Sequence, residues 1–213
     1  MRPVRPHGVL PHGVLPHRVV LHAGGVHLVD LMIQTFGEPP EAVYARRSSG
    51  FHEDTEVDPV QVVTLEFSQG RIGLVTLDRI SKGGTRYLEV RADCERASLR
   101  ASHGGRAYAQ IGLKRAEPTG LKIDYGLGGL AWAEIGRRRR VLARGSKDMN
   151  VTATGDLLVG AVEAFRTGVE PPSSAAQARD VIAVIEAAYE SHESGSRVAL
   201  DGRLGGRAAQ TAY

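Results

Sequence analysis

From Glu41 to Ala143 one strand signal follows another, and no amphipathic helix interrupts them. Val60 to Phe67 and Ile72 to Leu77 are rich in β-branched and apolar residues, with Ser68-Gln69-Gly70-Arg71 between them as a hairpin turn. Arg86 to Ala92 and Ala97 to Ala101 alternate apolar and polar residues across Asp93-Cys94-Glu95-Arg96, a second hairpin. Glu41 to Ser48 precedes them as a strand. Tyr108 to Leu113, Leu121 to Tyr125, Leu130 to Ile135 and Arg139 to Ala143 follow as weaker ones. Strands joined by such short turns pair antiparallel, because a parallel pair needs a crossover of roughly a dozen residues or more.

Helical spacing is found only at the two ends. Leu28, Val29, Met32, Ile33 and Phe36 make one stripe, ended by Gly37 with Pro39 and Pro40 beyond. Leu157, Leu158, Ala161, Val162 and Phe165 make a second, ending near Gly168, after which Pro171 and Pro172 break the chain. Ser174 to Gln177 has the form of a capping box and opens a third helix, with Val181, Ile182, Ile185, Ala188 and Tyr189 on its stripe. Gly195 closes that helix, and Arg197 to Leu200 suits a short strand. A helix, a run of hairpins and two helices predict an α+β fold: a largely antiparallel open sheet with helices packed on one face.

The chain's 213 residues allow one domain with a substantial core, or two small ones. Aromatics are 5% and glycines number 26, so tight turns and an aliphatic core are expected. A formal net charge of only +3 argues against a dedicated nucleic-acid binder. Cys94 is the only cysteine, which excludes an internal disulfide and a cysteine-based metal cage and fits a reducing compartment. No apolar run approaches the roughly 20 residues of a membrane span. Prolines and histidines fill the first 20 residues, where a signal peptide needs an apolar stretch. The expectation is a soluble, cytoplasmic protein.

The opening segment repeats a pentapeptide: His7-Gly8-Val9-Leu10-Pro11, then His12-Gly13-Val14-Leu15-Pro16, then the decayed His17-Arg18-Val19-Val20-Leu21. Histidines recur at His7, His12, His17, His22 and His27. A five-residue step turns about 140° around a helix, so these rings do not share one helical face, and Pro11 and Pro16 forbid a regular helix. A disordered extension, a start that does not match the ancestral gene and a metal-binding tract are the readings.

Three clusters bear on chemistry. Gly126-Leu127-Gly128-Gly129-Leu130-Ala131 satisfies the glycine fingerprint of dinucleotide-binding turns. That fingerprint needs a helix whose N-terminus meets the pyrophosphate. Here Gly136 and four arginines follow within a few residues, so a glycine-rich connection between strands is the better reading and no cofactor-binding residue is assigned. Arg137 to Arg140 can contact phosphate or form a solvated turn or sheet edge; without interleaved aromatics the edge is the better reading. His27 stands beside Gly24 and Gly25 at the opening of the first helix, with Asp30 three residues on. A histidine there can point outward and shuttle a proton at neutral pH. It can equally cap the helix, with Asp30 complementing the helix dipole and pairing with it.

Gly25-Val26-His27-Leu28-Val29-Asp30-Leu31, followed by Phe36-Gly37-Glu38-Pro39, resembles the opening of the C-terminal domain of the Gfo/Idh/MocA oxidoreductase family. The far end is similar too. Phe165-Arg166-Thr167-Gly168-Val169-Glu170-Pro171 is followed by Ser173 or Ser174, then by Val184-Ile185-Glu186-Ala187-Ala188-Tyr189-Glu190-Ser191 and by Ser194-Gly195. The resemblance implies a dehydrogenase C-terminal-domain fold over residues 21–200, with 1–20 a repetitive, disordered extension and 201–213 a flexible tail. It implies that a Rossmann half binds NAD(P), that this half shapes the site for a small-molecule, sugar- or cyclitol-like carbinol, and that an open sheet face makes homo-oligomers. By the same resemblance His27 is the catalytic histidine and Asp30 a substrate-binding residue. The family's histidine acts with a lysine of the Rossmann half and an aspartate four residues before it, and Ala23 stands at that position. The expectation is a truncated chain, inactive alone, that binds no cofactor, metal, nucleic acid or membrane by itself. It would work with a separate Rossmann half. The alternative is a non-catalytic binding or oligomerisation module that kept the fold.

Overall fold

The computed structural model describes residues 20–48, 60–78, 86–104, 107–112, 120–125, 129–145, 149–171 and 173–205. The repeat with His7, His12 and His17 lies outside the described residues, as do 206–213. In chain order the elements are α1 (Val26–Phe36), β1 (Ala42–Ser48), β2 (Val60–Glu66), β3 (Ile72–Asp78), β4 (Arg86–Asp93), β5 (Ser98–Gly104), β6 (Ala107–Gly112) and β7 (Gly120–Tyr125). Then come β8 (Leu130–Ile135), β9 (Arg138–Arg144), α2 (Met149–Thr167), α3 (Ala175–Ser194) and β10 (Val198–Ala199). They divide into two compact units, Met1–Ile80 with Ser173–Tyr213, and Ser81–Pro172.

The first unit is an antiparallel sheet in the order β10-β1-β2-β3 with helices on one face. Period-2 alternation sorts its strands. Val43, Ala45, Val63, Leu65 and Val75 meet Val29 and Ile33 of α1 and Val184, Ile185 and Ala188 of α3 in the core. Each valine, leucine or isoleucine among them contributes about 1.5–3 kcal/mol by leaving water. The opposite face keeps Val62, Ile72 and Leu74 exposed. Gly37 ends α1 in the left-handed region, φ 74°, where its amide donates to the Ile33 carbonyl at 3.0 Å. Inside β3, a Cβ on Gly73 would sit 3.2 Å from Phe67 and 3.4 Å from the Met32 sulfur. The bare glycine leaves room for the Phe36 and Phe67 rings, which stack 3.9 Å apart.

Ser174 caps α3 with the reciprocal box its sequence predicts: its hydroxyl accepts from the Gln177 amide at 3.3 Å, and the Ser174 amide donates to Gln177 Oε1 at 3.2 Å. Beyond β10 the chain folds back on α3. Arg203 reaches Glu190 at 2.6 Å, and the Gly205 amide donates to the buried Asp180 at 3.1 Å.

The second unit has an antiparallel sheet in the order β4-β5-β8-β9 and a two-stranded ribbon, β6-β7. Leu130, Trp132 and Ala133 are buried, whereas β9 is exposed along its whole length. Helix α2 forms where the apolar stripe predicts it, but the stripe is not a core face. Ala164 is buried and Gly160 and Ala161 are half-buried, while Leu158, Val162 and Phe165 lie open to solvent.

Candidate functional site

Helix α1 is entered through a π-helical turn, Leu21–Gly25, and not from a cap: Gly25 is already in the right-handed helical region, and no side chain there accepts from the first amides of the helix. Such turns are rare and are frequent at functional positions. Two glycines let this one lie against β3. A Cβ on Gly24 would stand 3.2 Å from Leu77 Cδ2, and one on Gly25 would stand 2.8 Å from Leu21 Cδ2 and 3.4 Å from Leu77.

The other side of the turn is fastened to α3. The buried Tyr189 hydroxyl accepts from the Leu21 amide at 3.2 Å. Its ring stacks on His22, centroids 5.6 Å apart and planes 12° from parallel, and His22 Nε2 meets Glu186 Oε1 at 2.9 Å. Two residues past Tyr189, the fully buried Ser191 accepts from the Ala45 amide at 3.0 Å and donates to the Ser196 carbonyl at 2.6 Å. Glu186, Tyr189 and Ser191, which carry the closing part of the family resemblance, thus clasp the helix entry and β1 to α3. His22 belongs to this clasp, and its place in a five-residue repeat gives no sign of it.

Glu38 of the Gly-Glu-Pro segment does comparable work at the β2–β3 turn. One carboxylate oxygen accepts from the Ser68 amide at 2.9 Å and from Arg71 at 2.6 Å, the other from the Ser68 hydroxyl at 3.0 Å. The Ser68 hydroxyl chiefly, then the Ser68 amide and the Arg71 guanidinium, hold this carboxyl below the ordinary glutamate value against some desolvation.

Ala23, His27, Asp30 and Gln34 form the outward face of the helical segment, away from Val29 and Ile33 in the core. His27 is exposed and makes no hydrogen bond among the described residues. It neither caps the helix nor pairs with Asp30, whose carboxylate instead accepts from Gln34 Nε2 at 2.7 Å. This face offers a free imidazole to accept or donate a proton, and a carboxylate–carboxamide pair able to bind hydroxyl groups. Ala23, exposed one turn before His27, adds no carboxylate.

The other two clusters are structural. Arg137 to Arg140 occupy the β8–β9 turn and an edge strand, with the Arg139 guanidinium 4.1 Å over the Trp132 ring, whose Nε1 donates to Glu134 at 3.0 Å. Gly129 runs directly into β8, a strand, where a dinucleotide fingerprint requires a helix; residues 126–128 lie outside the described residues. Among the described residues no group of three His, Cys, Asp or Glu side chains could hold a metal, and no helix is long and apolar enough to cross a membrane.

The sequence of this region can be set beside known proteins. Residues 16–100, which take in the π turn, α1 and β1 to β3, match the family model of the GFO/IDH/MocA C-terminal domain. The similarity to that domain extends over 85 of the chain's 213 residues. No curated protein matches it in sequence. Solved structures do match in fold. An oxidoreductase from Agrobacterium radiobacter in complex with NAD+, L-tartaric acid and magnesium is 16% identical with a TM-score of 0.62, over 87% of this chain and 50% of that one. The aldose-aldose oxidoreductase from Caulobacter crescentus complexed with glycerol is 19% identical with a TM-score of 0.60, over 85% and 47%. The WlbA dehydrogenase from Bordetella pertussis in complex with NADH and UDP-GlcNAcA is 15% identical with a TM-score of 0.54, over 85% and 45%. At these identities the likeness is one of fold, and the chain spans about half the length of the structures it matches.

Proposed function

We propose that this chain is a GFO/IDH/MocA C-terminal domain, the substrate-side and dimerisation half of an NAD(P)-dependent oxidoreductase, acting on a sugar- or cyclitol-like carbinol and inactive alone. The observation that carries the reading is the exposed, unengaged His27 ring on the outward face of α1, at the histidine position of the family motif and beside Asp30. Support comes also from the neighbours whose structures hold NAD+ or NADH, of which this chain spans about half. NAD(P), held by a separate nucleotide-binding half, would supply the hydride acceptor. The contribution of this chain is then to the proton and the hydroxyls. His27 takes the carbinol O–H proton as the C–H hydride departs, and Asp30, oriented by Gln34, accepts a hydrogen bond from a neighbouring substrate hydroxyl. The open sheet face with Val62, Ile72 and Leu74 is the self-association surface, and a single thiol, Cys94, suits a cytoplasmic site.

The test is co-purification with the product of the adjacent reading frame, followed by NAD(P)+ reduction against a panel of polyols. Turnover that drops about 10²- to 10⁴-fold in His27→Ala, the usual worth of a general base, is the expected result. Undiminished turnover in that variant would remove His27 from the reaction. A second reading, a binding module that kept the fold and lost the chemistry, is favoured by one observation: Ala23 leaves His27 without the motif's carboxylate on the turn before it. A complex that binds polyols and never reduces NAD(P)+ is the outcome that reading requires.

A further inference from the structure

We propose that α2 pairs with α2 of a second copy of this chain, antiparallel, about a two-fold axis at Leu158. The helix presents Val151, Gly155, Leu158, Val162 and Phe165 at alternating steps of four and three residues. That spacing keeps a seam facing a partner helix along its length. The four large members are all open: Val151 is 75%, Leu158 61%, Val162 60% and Phe165 82% exposed. Ala164, with Gly160, makes the inward side, on the flank turned away from the seam. A contiguous apolar face of this kind marks a partner surface.

The order of sizes along the seam commits the partner to a second copy. Set antiparallel about Leu158, Phe165 meets the second copy's Val151, Gly155 falls beside its Ala161 and Val162, and Leu158 meets itself. Large residues then face smaller ones on either side of a leucine centre, as interdigitating layers require. A parallel pair would instead put Gly155 against Gly155, leaving a void, and Phe165 against Phe165. The flanks raise no charge barrier. Thr152, Thr154, Val159 and Ala161 border the seam, and Glu163 is engaged by Arg166 of the same helix at 3.0 Å. Closing the seam and Val159 on both copies removes on the order of 1,000 Å² from water, the size at which an interface becomes specific.

Cys94 is the only native cysteine, so single cysteines placed in a Cys94→Ser background report the geometry in the full chain. Leu158→Cys is expected to give a disulfide-linked dimer under mild oxidation. Val151→Cys and Phe165→Cys are each expected to stay unlinked alone and to link to one another when mixed. Leu158→Glu, and Val162→Glu as a second variant, are expected to halve the mass seen by light scattering with an unchanged far-UV spectrum. The proposal is overturned if Leu158→Cys does not link, if positions 151 and 165 each link to themselves, or if neither glutamate variant lowers the mass. A parent chain that is monomeric throughout overturns it too, and assigns the seam to a different polypeptide.

Discussion

His27 and Ile33 stand less than two turns apart on α1 and have opposite physical circumstances. His27 is exposed and makes no hydrogen bond among the described residues, whereas Ile33 is 3% exposed in the core. Replacing His27 by Ala is expected to cost at most about 0.5 kcal/mol of stability, and Ile33→Ala about 2–5 kcal/mol. Urea melts of the two variants check this, and equal losses would make His27 a structural histidine. The pattern of apolar residues was enough to separate these two, because burial follows helical periodicity. The roles of His22, Glu38, Tyr189 and Ser191 were not legible, since each depends on a partner brought in by the fold, and for His22 that partner is 164 positions away. Glu38 adds a pH signature. Its pKa is lowered on folding, so its stabilising contribution is present above the unfolded value near 4.5 and is lost as pH falls through the folded value. Glu38→Gln is therefore expected to cost about 1 kcal/mol near neutrality, a figure kept small by solvent screening. The difference in Tm from the parent chain should close as the pH drops below 4.5. A difference that stays constant down to pH 3 would mean the carboxylate charge does not matter to this turn.

Among the elements, the strands and hairpins were the most legible part, because turn residues and period-2 alternation are local. Helix α2 was legible as a helix and illegible as a surface: an apolar stripe records that something covers it, not that this chain does. Of the two readings the sequence allowed at the helix entry, the capped first turn does not form. A π turn has no local sequence mark, and here it rests on close approach to a neighbouring strand and to Tyr189. Glycines at two element contacts carry the next prediction. A side chain at Gly73 would press on Phe67, Met32 and Phe36, and one at Gly25 on Leu21 and Leu77. Gly73→Val and Gly25→Val are each expected to cost about 1–3 kcal/mol by overpacking. Both φ angles lie outside the left-handed region, so the loss would come from space alone. Unchanged denaturation midpoints in both would mean that α1 and β3 have room that these contacts do not show.

At the scale of the whole molecule, a fold shared with oxidoreductases is combined with only about half their length and with a Gly129 that leads into a strand. Hydride chemistry needs a nicotinamide set against the substrate carbon, so in this account the site is completed by a nucleotide-binding half outside this domain. The alternation of hairpins and the two end motifs made the class of fold legible, but periodicity says nothing about which surfaces a second polypeptide covers. Titration of the purified 213-residue chain with NADH and NADPH, followed by calorimetry and nicotinamide fluorescence, tests this most directly. The account predicts no saturable signal with either nucleotide. A single saturable site of micromolar affinity would contradict it and place a nucleotide site within this chain.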